Sequence, residues 1–296
     1  MKTAYRLLAS SMQWRVRRTL AFSLHEIAKI LGQETAEMHL LPIFEGLLGD
    51  TDEVSIGVVS NLASFMSELS PSARLPHLHL LPEIGAVDGD DMIGNWRLRA
   101  ALSEQLSALS RILPASINEQ YLLPLLLSLL KDPASAVRLK SIEAVGVVLQ
   151  NTRGESKGGG SSSAGWRAGR LGGVLAEIKL MATNPRWLDR QAYAQICGAF
   201  VGVVDREVVT EELLPLMLMM VDDSVPNVRC ELAKALAVFQ KDPAYAGLAD
   251  LRDAVGTLRN DPDTEVCKIS KRFCTFDSEQ HFAREFTSTG LQLPLK

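Results

Sequence analysis

Apolar residues recur at every third or fourth position in stretch after stretch of this chain. Val16, Leu20, Leu24, Ile27 and Leu31 form one stripe, and Val54, Val58, Leu62, Phe65 and Leu69 another. The pattern returns in Leu98, Leu102, Leu106, Leu109 and Leu113, in Leu188, Ala192, Ile196 and Phe200, and in Val228, Leu232 and Leu236. This is the 3.6-residue period of a helix that buries one face. It predicts an almost wholly helical chain with no sheet.

A shared preamble stands before most stripes. Leu-Leu-Pro occurs at Leu40–Pro42, Leu80–Pro82, Leu122–Pro124 and Leu213–Pro215, each leading an apolar helical stretch. That stretch ends in an acidic turn: Gly49-Asp50-Thr51-Asp52, Asp88-Gly89-Asp90-Asp91, Lys131-Asp132-Pro133 or Asp222-Asp223-Ser224. A second helix follows and opens with Val-Arg or a relative of it. Its basic anchors are Arg17, Arg99, Arg138, Arg190, Arg229 and Lys268, with Ser55 in the same slot. Successive anchors lie 38, 44, 39, 52, 39 and 39 residues apart, which implies about seven two-helix repeats. One helix pair cannot bury its own apolar face, so neighbours must stack. The expected fold is therefore all-α, a HEAT-repeat superhelix (solenoid) over residues 1–270. The proline is expected near the start of each first helix, where its missing N–H is unneeded.

The gap of 52 contains residues 154–165, a run of glycine and serine with the composition of a flexible linker. Without its 12 residues the gap is 40, so the run reads as a disordered insertion between repeats four and five. Lys157 precedes the glycines, so the order of a phosphate-binding loop is absent. Residues 271–296 fit no repeat and read as a poorly ordered tail.

Charge narrows the function. The chain has 31 basic and 35 acidic residues, net −4, without the basic excess of a nucleic-acid binder. Its longest apolar runs, 121–130 and 213–221, fall well short of the roughly 20 residues that span a bilayer. Neither nucleic acid nor membrane is an expected partner. Residues 1–25 carry Lys2, Arg6, Arg15, Arg17 and Arg18 and no acid, a bias shared with transit peptides. Trp14-Arg15-Val16-Arg17 nevertheless falls in the repeat register, so this stretch reads as the first repeat, with a short first helix. The four cysteines, Cys197, Cys230, Cys267 and Cys274, form no Cys-x-x-Cys pair. Free thiols in a reducing compartment, cytoplasmic and also nuclear, are expected.

The turns and second helices carry a more specific likeness. Trp14-Arg15-Val16-Arg17 resembles the Trp-Arg-x-Arg of the protein phosphatase 2A scaffold family. Asp52-Glu53-Val54-Ser55-Ile56-Gly57-Val58 is similar to the protein phosphatase 4 regulatory subunit 1 family. So are Asn95-Trp96-Arg97-Leu98-Arg99 with Glu104-Gln105-Leu106, the run from Arg190 to Cys197, and Val225-Pro226-Asn227-Val228-Arg229. The likeness covers roughly residues 12–240. It implies a non-catalytic scaffold or regulatory subunit without a cofactor, holding a phosphatase catalytic subunit of the 4 or 2A type, with other regulatory subunits or substrates as further partners. By matching motif, the implied contacts are Trp14 with Arg15, Trp96 with Arg97, and Trp187, together with Arg190, Asn227 and Arg229 from the matching segments. Departures are Ser55 in an Arg slot, Leu188 after Trp187, and Cys267-Lys268 in repeat seven.

These residues also have plainer roles. An Arg at the start of a second helix can pair with an acidic turn of its own or the adjacent repeat. A recurring anchor tracks architecture rather than one site, so a ladder is the expected role of the series. A turn Trp can pack on the next repeat, yet Trp and Arg are the residue types enriched at binding hot spots. His77 and His79 are two apart and point to different sides of a helix, so they suggest no metal site. Met217, Met219 and Met220 read as core fillers. An enzymatic alternative resembles the deoxyhypusine hydroxylases, whose iron site needs several His-Glu pairs; only His25-Glu26 fits. No nucleophile elbow or His-Glu-x-x-His helix occurs. The remaining rival is a HEAT adaptor or transport scaffold without a phosphatase partner.

Overall fold

The computed structural model describes residues 2–86, 95–153, 163–167 and 169–274. The acidic stretch 88–91, most of the glycine-serine run and the chain beyond Cys274 lie outside the described residues. Among those described, the chain is helical and contains no strand, an all-α helical repeat fold. It forms two compact units, Met1–Leu175 and Ala176–Lys296.

The first unit holds repeats one to four. Repeat one pairs Lys2–Ala9 with Trp14–Leu31. Gly32, at φ +78°, then turns the chain in a conformation that favours glycine. In repeat two, residues 33–48 form the first helix, and Asp52–Val59 with Leu62–Ser67 the second. Repeat three has a first helix broken into Pro71–Arg74 and Leu80–Ile84, and a continuous second, Trp96–Ile112. Repeat four runs over 115–130 and Ser135–Arg153. Its neighbour Trp166 is buried, with the Arg153 guanidinium 5.2 Å from its ring centre.

The prolines sit differently from expectation. The first helices of repeats two, four and six begin well before Leu-Leu-Pro, at Gln33, Ala115 and Arg206. The proline therefore falls mid-helix, and a π turn precedes it each time: Ala36–Leu40, Asn118–Leu122 and Val209–Leu213. A proline inside an α-helix removes one backbone bond and crowds the carbonyl four residues back. The wider π turn accommodates both. Leu40, Leu122 and Leu213 close these turns and are fully buried, so the motif is a core anchor as well as a bend.

The apolar stripes form the cores as their period requires. Leu102, Leu106 and Leu109 are inaccessible, and Phe44 stacks on Phe65 with ring centres 4.9 Å apart. The second helix of repeat two breaks at Ser60-Asn61, and its neighbours on both sides occupy the break. Asn61 Nδ2 donates to Phe22 O at 3.3 Å. Gln105 Nε2 donates to Ser60 O at 2.7 Å, while its Oε1 accepts from Ala63 N at 3.2 Å. One amide thus replaces two backbone bonds that the break leaves open.

The second unit completes repeat five and holds six and seven. Its second helices are Trp187–Phe200, Pro226–Lys241 and Thr264–Phe273. The Tyr193 hydroxyl reaches from repeat five to Leu213 O, at 2.8 Å, just ahead of Pro215. Burial, assisted by neighbouring Cys197, pushes this phenol far above its ordinary range. Residues 271–273, expected to belong to a tail, complete the last helix, and Cys274 is buried with its thiol 3.1 Å from Ala233 O. The insertion likewise ends earlier than residue 165, because a short helix spans Ser163–Arg167.

Candidate partner-binding edge

At the start of the second helices the sequence places arginines in two positions, and the structure gives them different environments. The first position is the anchor slot. Arg99 grips Asp132 of the next turn with Nε–Oδ2 at 2.6 Å and Nη2–Oδ1 at 3.3 Å. Arg190 holds Asp223 at 2.6 and 3.0 Å, and Arg229 holds Asp261 at 2.7 and 2.9 Å. Arg17 makes the same fork with Asp50. Each fork thus joins one repeat to the next.

The other edge of the guanidinium faces its own turn. Nη1 donates to Ser11 O from Arg17 (2.6 Å), to Asp132 O from Arg138 (2.7 Å) and to Asn184 O from Arg190 (2.8 Å). Arg229 does the same with Asp223 O. The acids also order their turns, accepting from Ala134 N, Val225 N and Asp263 N. Each turn is therefore knitted within its repeat and to the repeat before it.

Ionisation follows from this geometry. The hydrogen bond from Arg17 holds the Asp50 carboxyl below the usual range, and Arg229 does so for Asp261. For Asp223 burial pulls upward, but Arg190, Val225 N and the charge of Arg229 together carry it below its ordinary value. Arg190 and Arg229, both nominated from sequence as partner contacts, have both guanidinium edges engaged in this ladder. Ser55 keeps only the own-turn half of the bond, donating to Leu48 O at 2.9 Å. In repeat seven the slot belongs to Cys267, whose thiol lies 3.0 Å from Arg259 O. Lys268, the anchor expected there, is exposed and pairs with Glu265.

The second position lies two residues before the slot. Here Arg15 and Arg97 are exposed and make no ion pair among the described residues. Each lies over the Trp that precedes it, with Arg15 5.5 Å from the Trp14 ring centre and Arg97 4.8 Å from that of Trp96. Asn95, in the left-handed region at φ +53°, caps this turn and donates from Nδ2 to Asp52 Oδ1 at 3.1 Å. The result is a hollow of about 260 Å³ lined by Asp52, Glu53, Ile56, Asn95, Trp96 and Arg97. In the second unit the corresponding positions are Leu188, after a half-buried Trp187, and exposed Asn227. The Trp-Arg pair therefore recurs in repeats one and three but not in five or six.

Sequence reasoning missed Arg18, whose guanidinium lies 4.7 Å over Phe22. Its spacing of three from Arg15 was the available signal, since it puts both on one helix face. Among the described residues no group of His, Cys, Asp and Glu is arranged to hold a metal, and no helix is long and apolar enough to cross a membrane.

Residues 1–84 match the family model described as protein phosphatase 4 regulatory subunit 1 middle domain, and residues 122–152 that of the HEAT repeat. The human serine/threonine-protein phosphatase 4 regulatory subunit 1 is 34% identical over 276 residues, covering 90% of this chain and 28% of its own length. The chain is homologous to protein phosphatase 4 regulatory subunit 1. It spans 28% of the length of that relative and also of the mouse one, which is 33% identical over 274 residues and 90% of this chain. A more distant relative is a regulatory subunit of protein phosphatase PP2A from Saccharomyces cerevisiae, 37% identical over 79 residues, 24% of this chain and 12% of that protein. Both likenesses read from the turn motifs are thus found in the relatives.

Proposed function

We propose that this chain is a non-catalytic regulatory or scaffold subunit that binds a serine/threonine phosphatase catalytic subunit, of the protein phosphatase 4 type, along the turn edge of its repeats. Trp96 and Arg97 form the central contact and Trp14 and Arg15 an outlying one. The homology to regulatory subunits supports the class. The observation that carries the site is the division of the arginines: the anchor series is consumed by the ladder, whereas Arg15 and Arg97 stand exposed on tryptophans with no ion pair among the described residues. A Trp presents a large apolar surface at low entropic cost, and the adjacent fork suits a carboxylate of the partner.

The test is binding of purified protein phosphatase 4 catalytic subunit to the parent chain and to Trp96→Ala/Arg97→Ala, with helicity checked by circular dichroism. Loss of a hot-spot Trp costs about 2 kcal/mol, or roughly thirtyfold in affinity. A folded double variant that binds like the parent removes these residues from the site. A parent chain that binds no catalytic subunit favours the general HEAT adaptor instead.

A further inference from the structure

A larger hollow, about 560 Å³, opens in the first unit and shares no lining residue with the one beside Trp96. Its walls come from the first helices of repeats two and three and from Leu98 on the second helix of repeat three. Leu48, Leu80, Ile84 and Leu98 are among its apolar lining residues. Its size lies within the range of sites that hold a ligand or a peptide side chain.

The polar groups around it are two glutamates and two histidines, Glu45, Glu83, His77 and the exposed His79. Glu45 and Glu83 stand exposed at its rim, and no lysine or arginine lines it among the described residues. His77 is buried in its wall, edge-on to Phe44 at 6.3 Å, with Nδ1 3.3 Å from Glu45 Oε1. Burial lowers its basicity against the pull of Glu45, and the neighbouring His79 lowers it further. The site thus combines an apolar floor with two exposed carboxylates and two imidazoles. Glu83 makes no side-chain pair among the described residues.

We propose that this hollow docks a short linear segment of a partner protein, one that presents an aliphatic or aromatic side chain next to a lysine or arginine. The apolar side chain lies on Leu48, Leu80 and Leu98, and the cation pairs with Glu45 and Glu83. Charge complementarity selects this occupant. An acidic segment meets two like charges here, and a purely apolar one leaves both carboxylates without a counter-ion.

The test uses short fluorescein-labelled peptides with a central Leu, Phe or Trp flanked by lysine and arginine, and a matched set flanked by glutamate. Fluorescence anisotropy should show saturable binding of at least one basic peptide, at least about tenfold tighter than its acidic counterpart and weakened by salt. Glu45→Gln/Glu83→Gln should weaken it by about tenfold or more at unchanged melting temperature. Leu80→Glu should abolish it, and Trp96→Ala should leave it unaltered, which separates this site from the phosphatase edge. Absence of saturable binding, equal binding of the acidic set, or indifference to the charge-removing variant each overturns the proposal. So does self-association in sedimentation that Leu80→Glu abolishes, because the occupant is then a second copy of this chain.

Discussion

Among single residues, burial separates the rungs of the arginine ladder. Arg99 and Asp132 are each 1% exposed, whereas Arg17 and Asp50 keep 17% and 14% of their side chains in water. Removing one partner of a buried pair strands the other charge, at a cost of about 3–5 kcal/mol. Arg99→Ala should lose about that much in urea unfolding, while Arg15→Ala should be close to neutral, since its guanidinium is exposed and has no ion partner among the described residues. Equal effects would mean that the buried pair adds no more than surface decoration. The same ladder sets the acid limit. Asp50, Asp223 and Asp261 have folded-state values below their unfolded ones. Their contribution is complete above the unfolded carboxyl range, about pH 4, and is lost as pH falls through the depressed folded values. The melting temperature should therefore hold steady from neutral pH down to about pH 5 and drop steeply below about pH 4. Asp223→Asn should lower it at neutral pH and flatten the acid drop; an unchanged drop would assign the acid sensitivity elsewhere. The ladder was legible because its arginines recur with the repeat. The direction of pairing was not, since own-turn and next-turn acids are equally near in sequence. Nor was the slot in repeat seven: the lysine matched the anchor's charge, but the geometry selects Cys267, one residue earlier.

Single helices show where periodicity stops being informative. The 3.6-residue pattern fixed which faces are buried, yet it passes unchanged through a π turn or a two-residue break. The three π turns ahead of proline, and the Ser60-Asn61 break, depend on backbone bonds that the apolar pattern does not encode. Gln105 illustrates this: it lay inside a segment noted only for its family likeness, and its amide closes the break in the neighbouring helix. Gln105→Ala should leave Ser60 O and Ala63 N without these partners and cost about 1–3 kcal/mol, read by chemical denaturation. A change within error would show that water satisfies both groups as well. A tight approach joins repeats one and two. A methyl group on Gly57 would lie 2.7 Å from Phe22 Cδ2 and 3.1 Å from Ala21 Cβ. Gly57→Ala should destabilise the first unit by about 1–3 kcal/mol through overpacking, despite the better helix propensity of alanine. A stabilised variant would mean that the Phe22 ring swings aside at little cost.

For the whole molecule, the repeat period describes one continuous array, whereas the chain forms two compact units that meet in sequence at Leu175 and Ala176. The sole trace of this division in the period is the 52-residue gap that leads into repeat five. In repeat architectures each pair contacts mainly its neighbours, so stability is a sum of local terms rather than a property of one core. Two compact units should then unfold with separate midpoints. The tryptophans allow this to be measured: Trp166 is buried in the first unit, and Trp187 opens a helix of the second. Two variants, one retaining only Trp166 and the other only Trp187, with phenylalanine at the remaining tryptophan positions, should give urea curves with different midpoints. The circular dichroism of either should fall across both transitions, with an apparent slope shallower than a two-state chain of this length would show. If the two fluorescence curves and the dichroism coincide, the chain unfolds as one cooperative body. In that case the arginine rungs and core contacts would act along the entire array, and Arg99→Ala in the first unit should shift the Trp187 transition as much as the Trp166 one. If the units are independent, that substitution should move the Trp166 midpoint and leave the Trp187 midpoint in place.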